Sequence, residues 1–186
     1  MAFKNVRKIY RMLIHKPKLS VSNHHNLWFI MTDVVKTIGL ISDTHGLLRG
    51  SAVEALQGVD TIIHAGDIDN MAILDELELI APVYAVRGNM DLKAEVASLP
   101  YYTVVKAAGV NIGAIHDRQH IQDKAAEDDL LAVIHGHTHN ASVKESGGIL
   151  YINPGSAGPK RSNRYATAAV LEIRNGRMIP KIITIG

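Results

Sequence analysis

The sequence predicts an α/β domain built on a largely parallel central sheet. From residue 34 onward, short runs rich in Val and Ile alternate with helix-forming stretches, the pattern of strand–helix–strand units. Polar residues with glycines beside them recur where those runs stop, as at loops beyond the carboxyl ends of strands. The C-terminal part changes character and reads as an antiparallel hairpin.

In chain order, Val34–Ser42, Thr61–Ala65, Val83–Val86, Val110–Ile115 and Leu131–Ile134 read as buried strands. Between them, Gly50–Gln57, Asn70–Leu79 and His120–Leu130 carry helix formers with charges on one side. Tyr165–Ile173 and Arg177–Ile185 are strands joined at Asn175-Gly176, a strong two-residue hairpin turn. There is no internal repeat and no low-complexity tract.

Residues 1–30 stand apart as a basic N-terminal extension, and 31–186 form the domain. The extension holds Lys4, Arg7, Lys8, Arg11, Lys16 and Lys18 and no acid. With those six set aside, 14 basic residues face 18 acidic ones in the remainder. The domain is thus mildly acidic, and the overall charge of +2 gives no ground for nucleic-acid binding. Val6, Ile9, Tyr10, Leu13 and Ile14 follow a helical spacing, which suits either an amphipathic basic helix or a non-functional stretch upstream of Met31. His24 and His25 fall in the polar linker and read as loop residues.

No apolar run approaches the roughly 18 residues a transmembrane helix needs. Leu27–Met31 is too short for a signal sequence, so a cytoplasmic location is expected. The chain has no cysteine, which excludes disulfides and thiolate ligands and leaves the redox compartment open. Any metal must be held by imidazole, carboxylate and amide groups, a donor set that suits Mn, Fe, Ni or Zn. Self-association into a homo-oligomer leaves no mark in the sequence.

The polar residues at the strand ends carry the chemistry. Asp43 and His45 follow the first run, Asp67 the second, Asn89 the third; His116 closes a later one, and His137 and His139 the next. Gly46, Gly66, Gly88 and Gly136 let the backbone turn sharply at these places. A pair of divalent ions roughly 3.5–4 Å apart needs one carboxylate able to bridge them, with neutral donors filling the other positions. Asp67 suits the bridge. Asp43, His45 and His139 would hold one ion, and Asn89, His116 and His137 the other. Two aspartates against two dications leave positive charge to bind a phosphate and to acidify a bridging water. Each dipeptide alone is weak evidence, since Gly-Asp and Gly-Asn are common turns. Their ordered recurrence after apolar runs is specific.

Asp43-x-His45, Gly66-Asp67, Gly88-Asn89-x-Asp91, His116 and Gly136-His137-x-His139 resemble the calcineurin-like metallophosphoesterases, and most of all their small YfcE-like phosphodiesterase branch. Asn153-Pro154-Gly155-Ser156, with Pro159-Lys160-Arg161 after it, resembles a later signature of that branch. The resemblance covers residues 36–186. It implies a four-layer α-β-β-α sandwich with two facing mixed sheets. It further implies manganese or nickel in assays, and hydrolysis of small phosphodiesters by a hydroxide bridging two metals, with Asn89 and His116 serving catalysis as well as ligation.

The sequence departs from the family at two points. Asp117 and Arg118 stand where the family usually has Gly after the His116 equivalent; Asp117 adds negative charge, and Arg118, with Asn89, is the expected phosphate contact. Met90 replaces a histidine that serves wider-family phosphatases as leaving-group acid, which disfavours monoesters. His64 and His135 are expected as hydrogen-bonded residues within strands, Asp91 as support for a neighbouring ligand, and Arg87 as either a surface residue or a phosphate contact. The rival reading is a non-catalytic interaction scaffold, as in the retromer subunit that resembles this family; that subunit has altered ligand positions, whereas all seven are present here.

Overall fold

A computed structural model describes residues 35–159 and 165–186. The chain divides into two units, Met1–Met31 and Thr32–Gly186, and every described residue belongs to the second. The basic extension and Lys160-Arg161 lie outside the described residues.

Among the described residues, ten strands form two five-stranded sheets. In the first, β1 (Val35–Ile41), β2 (Thr61–His64) and β3 (Val83–Ala85) run parallel. The hairpin of β9 (Thr167–Arg174) and β10 (Arg177–Thr184) pairs antiparallel to β1. In the second, β5 (Val110–Ile115), β6 (Ala132–Ile134) and β8 (Ile149–Asn153) run parallel. Antiparallel edge strands β4 (Tyr102–Ala107) and β7 (Ser142–Ser146) flank them. Asn175-Gly176 turns the β9–β10 hairpin, as its sequence implies. Pro180 sits in β10, an edge strand, where the missing N–H is tolerated.

The four layers follow from strict alternation. Ile38, Leu40, Ile63, Ala169 and Leu171 of the first sheet meet Ile112, Ala114, Ala132, Ile134 and Ile152 of the second in one inter-sheet core. The other face of the first sheet, with Ile41, Ile62 and Ala168, packs under α1 (Gly50–Ala55), α2 (Ala72–Glu78) and α3 (Ala94–Ala97). The outer face of the second, with Ile115 and Val133, packs under Ile121, Ala125 and Leu130 around α4 (Gln122–Glu127). Gly39 in β1 lies against Leu56, 2.8 Å from where a Cβ would stand, so helix and sheet approach closely there.

The single, largely parallel sheet read from the strand pattern is therefore corrected to two mixed sheets, the arrangement that the family resemblance implies. Strands covered on both faces read as continuous apolar runs whether they belong to one sheet or two. The stretch 120–130 is not one helix: a 3-10 turn at Arg118–His120 precedes the shorter α4. Among the described residues, no helix is long and apolar enough to cross a membrane.

Candidate metal centre

Main-chain hydrogen bonds tie the loop after β1 to the loop after β2, and the loop after β5 to the loop after β6. Asp43 N–H donates to Gly66 O (3.0 Å), His45 N–H to Asp67 O (3.0 Å) and Gly136 N–H to His116 O (3.0 Å). Asp43, His45, Asp67, His137 and His139 all have φ between 46° and 67°, the left-handed region that non-glycine residues rarely occupy. Such strain persists only where the surroundings over-determine it, and it concentrates at functional sites.

The loops also require bare backbone. A Cβ on Gly88 would overlap the Asp67 carboxylate, and one on Gly136 would overlap Ser42 Oγ. Neither glycine is there for a left-handed turn; each is there because two loops nearly touch. Gly46 and Gly66 do turn with positive φ.

These constraints gather two groups of donors around Asp67. Asp43, His45, Asp67 and His139 each offer one ligand atom, and the four atoms lie within 4.8 Å of one another. His139 Nε2 stands 3.1 Å from Asp43 Oδ1 and 3.3 Å from His45 Nε2. On the other side, His116 Nε2 stands 3.3 Å from Asp67 Oδ2 and 3.1 Å from Asn89 Oδ1, and His137 Nδ1 stands 2.9 Å from Asn89 Oδ1. The first group is largely closed from solvent, while Asn89 and His137 are exposed.

The donor set fits a divalent cation. Asp43 is fully buried, and its Oδ1 accepts no hydrogen bond among the described residues. A buried carboxylate oxygen in that state calls for a partner. His116 Nδ1–H donates to Ala65 O at 2.7 Å, which leaves Nε2 as the ring nitrogen that faces Asp67 and Asn89. Burial works to raise the Asp67 carboxyl, but hydrogen bonds from His116 and the Met90 N–H outweigh it and hold the group below its usual range. For His116, burial works to lower the imidazole, and the bonds to Asp67 and Ala65 outweigh it and raise it.

Residues 37–176 match the calcineurin-like phosphoesterase superfamily domain. The chain belongs to that superfamily. A probable metallophosphoesterase of Methanocaldococcus jannaschii is 34% identical over 145 residues, covering 71% of this chain and 73% of that protein. A probable metallophosphoesterase of Methanothermobacter thermautotrophicus is 33% identical over 161 residues, covering 80% and 92%. Among solved structures, an archaeal phosphodiesterase superposes with a TM-score of 0.67 at 25% identity, over 80% of this chain and 99% of its own. Vacuolar Protein Sorting 29 of Cryptosporidium parvum shares the fold, with a TM-score of 0.65 at 20% identity over 80% and 97%.

Around this phosphoesterase centre lie supports the sequence only partly revealed. Asp91, 1% exposed, accepts from Ile68 N–H (2.7 Å) and Asp69 N–H (2.8 Å) with one oxygen and from Gly88 N–H (2.7 Å) with the other. It ties the Asp67 loop to the Asn89 loop. His64 bonds Thr44 Oγ1 (3.0 Å) and accepts from Gly66 N–H, and burial pushes its imidazole down to about 4. His135 lies just beyond β6 rather than inside it, close to Asn153, and burial likewise lowers it to about 4. Both are neutral structural groups.

The Asn-Pro-Gly-Ser segment turns out to be scaffolding. Asn153 Nδ2 donates to Gly136 O (2.8 Å) and Thr138 Oγ1 (3.0 Å), and Ser156 Oγ donates to Asp43 O (3.0 Å). It braces the loops of the aspartate and of the paired histidines.

Arg118 is not brought to the centre. Asp117 caps the 3-10 turn by accepting from Gln119 N–H (3.0 Å), and Arg118 lines a separate depression with Lys144 and Tyr151. Among the described residues, Arg87 is the arginine beside the centre, in a cleft of about 260 Å³ lined also by Asn89, Tyr101, Asp117, His120 and His137. Tyr101 and Asp69, whose carboxylate stands 3.6 Å from His45 Nδ1, escaped the sequence reading. Asp69 follows the Gly66-Asp67 pair by two residues, and that proximity was its only signal.

Proposed function

We propose that this phosphoesterase is a phosphodiesterase that works with two divalent ions, manganese foremost, sharing Asp67. The observation that carries this reading is the position of Asp67 Oδ2, 3.8 Å from His45 Nε2 and 3.3 Å from His116 Nε2, common to both donor groups. Asp43, His45 and His139 would complete one site; Asn89, His116 and His137 the other. When bound, such ions orient phosphoryl oxygens, offset developing charge and acidify the attacking water. The chain's own residues do the positioning. Asn89 engages both histidines through Oδ1, leaving its Nδ2–H donors for a phosphoryl oxygen. His116 is held by Ala65 with Nε2 toward Asp67, and the exposed half admits the ester.

The test is turnover of bis(p-nitrophenyl) phosphate after chelation and after Mn is restored. Activity lost on chelation and regained with Mn supports the reading. Absence of hydrolysis in Mn-loaded protein would favour an interaction scaffold instead.

Met90 is expected to set the preference for diesters. It directly follows Asn89, its backbone N–H is committed to Asp67 Oδ1 (2.8 Å), and its half-exposed thioether has no proton to give. An alkoxide leaving group needs a proton, and a positioned general acid contributes about 10²–10⁴-fold. Met90→His is expected to raise monoester cleavage relative to diester cleavage. An unchanged ratio with metal content intact would assign the proton to another group in the cleft, such as His120.

A further inference from the structure

The cleft beside the exposed half of the centre has a composition the ligand set does not explain. Arg87 is two residues from Asn89, and its guanidinium carbon lies 5.6 Å from the centroid of the Tyr101 ring, within cation–π range. His120 meets the same ring edge-on, with centroids 6.1 Å apart. Tyr101 still leaves 43% of its surface exposed. The space is therefore bordered by the Tyr101 and His120 rings and the Arg87 guanidinium, with His116, His137 and Asn89 of the centre along its other side.

Size and charge narrow the guest. About 260 Å³ lies below the usual range for drug-sized ligands, so it admits a ring-sized group rather than a chain of them. Asp117 lines the same wall as Arg87. The carboxylate opposes negative charge in proportion to its amount, so beside Arg87 a singly charged diester is repelled less than a doubly charged monoester. Planar guests stack on an exposed ring irrespective of their hydrogen-bonding edges.

We propose that this cleft is the subsite for a planar aromatic substituent, an aryl ring or a nucleobase, of a singly charged phosphodiester, with Tyr101 as its stacking platform and Arg87 as its phosphate partner. This rests on the phosphodiesterase reading for its catalytic consequence but not for binding.

Two assays separate the claims. In Mn-loaded full-length protein, methyl p-nitrophenyl phosphate brings one aromatic ring to the cleft and methyl 2,2,2-trifluoroethyl phosphate brings none. The ratio of their kcat/KM values should fall about tenfold or more in Tyr101→Ala and persist in Tyr101→Phe, on the scale of base–aromatic stacking. Calorimetric titration with diphenyl phosphate against dimethyl phosphate should show the same tenfold selectivity loss without any turnover. Ring selectivity in binding that depends on Tyr101, in a protein that hydrolyses neither ester, sinks the phosphodiesterase reading and leaves the subsite standing. A selectivity unchanged in Tyr101→Ala, or lost equally in Tyr101→Phe, overturns the subsite.

Discussion

Replacing Asp67 with Asn should lower diester turnover about a thousandfold, the scale on which loss of one preorganised charge-stabilising group acts. The substitution keeps the shape of the side chain, so it fits beneath Gly88, where even a methyl group would collide. Its Oδ1 can still accept from Met90 N–H. What disappears is the negative charge that faces both His45 and His116. With that charge gone, two cations held by the remaining donors repel each other with only Asp43 to offset them. The folded chain should persist, because the amide keeps the shape of the side chain and the bond from the Met90 N–H, and forfeits only the charged contacts to His45 and His116. Circular dichroism and kcat measured together check this. A variant with native spectrum and undiminished turnover would contradict the bridging role.

Asp91→Ala should produce the largest loss of stability. The carboxylate is buried and accepts from three main-chain N–H groups, those of Ile68, Asp69 and Gly88. Removing it strands those donors in two loops that nearly touch, and each stranded buried donor costs about 1–3 kcal/mol. The minimum, about 3 kcal/mol, corresponds to a fall in Tm of roughly 6–12 °C for a domain of this size. Because the same carboxylate sets the spacing between Asp67 and Asn89, metal affinity should fall by about 10–100-fold, as for other groups that orient ligands. Scanning calorimetry of metal-free protein isolates the first effect, and metal titration the second. A Tm within about 2 °C of the parent would mean that water or neighbouring groups satisfy the three donors.

Which parts of this molecule were legible in its sequence follows from how each residue does its work. Asp43, His45, Asp67, Asn89, His116, His137 and His139 each stand where an apolar run stops, and that contrast survives without coordinates. The structure brings those seven side chains to one place. The division into two sheets was legible through the family resemblance and not in the strand pattern, because Ile38 and Ile41 both read as buried although they face different layers. Strand β7, Ser-Val-Lys-Glu-Ser, escaped because an edge strand largely exposed to water needs no apolar run. Arg118 misled for a local reason: next to His116 in sequence, it is carried elsewhere by the 3-10 turn that Asp117 caps. Arg87 and Tyr101 meet only because the end of β3 and the start of β4 lie near one another, with Arg87 N–H donating to Pro100 O at 2.9 Å. Pairings of that kind have no spacing rule to betray them.

The central claim is that two ions work together across Asp67, and stoichiometry tests it most directly. Manganese titrated into metal-free protein, with bound metal and turnover of bis(p-nitrophenyl) phosphate measured on the same samples, should saturate at two ions per chain, with activity rising as the second site fills. Full turnover at one ion per chain, or in protein stripped of metal, would contradict it.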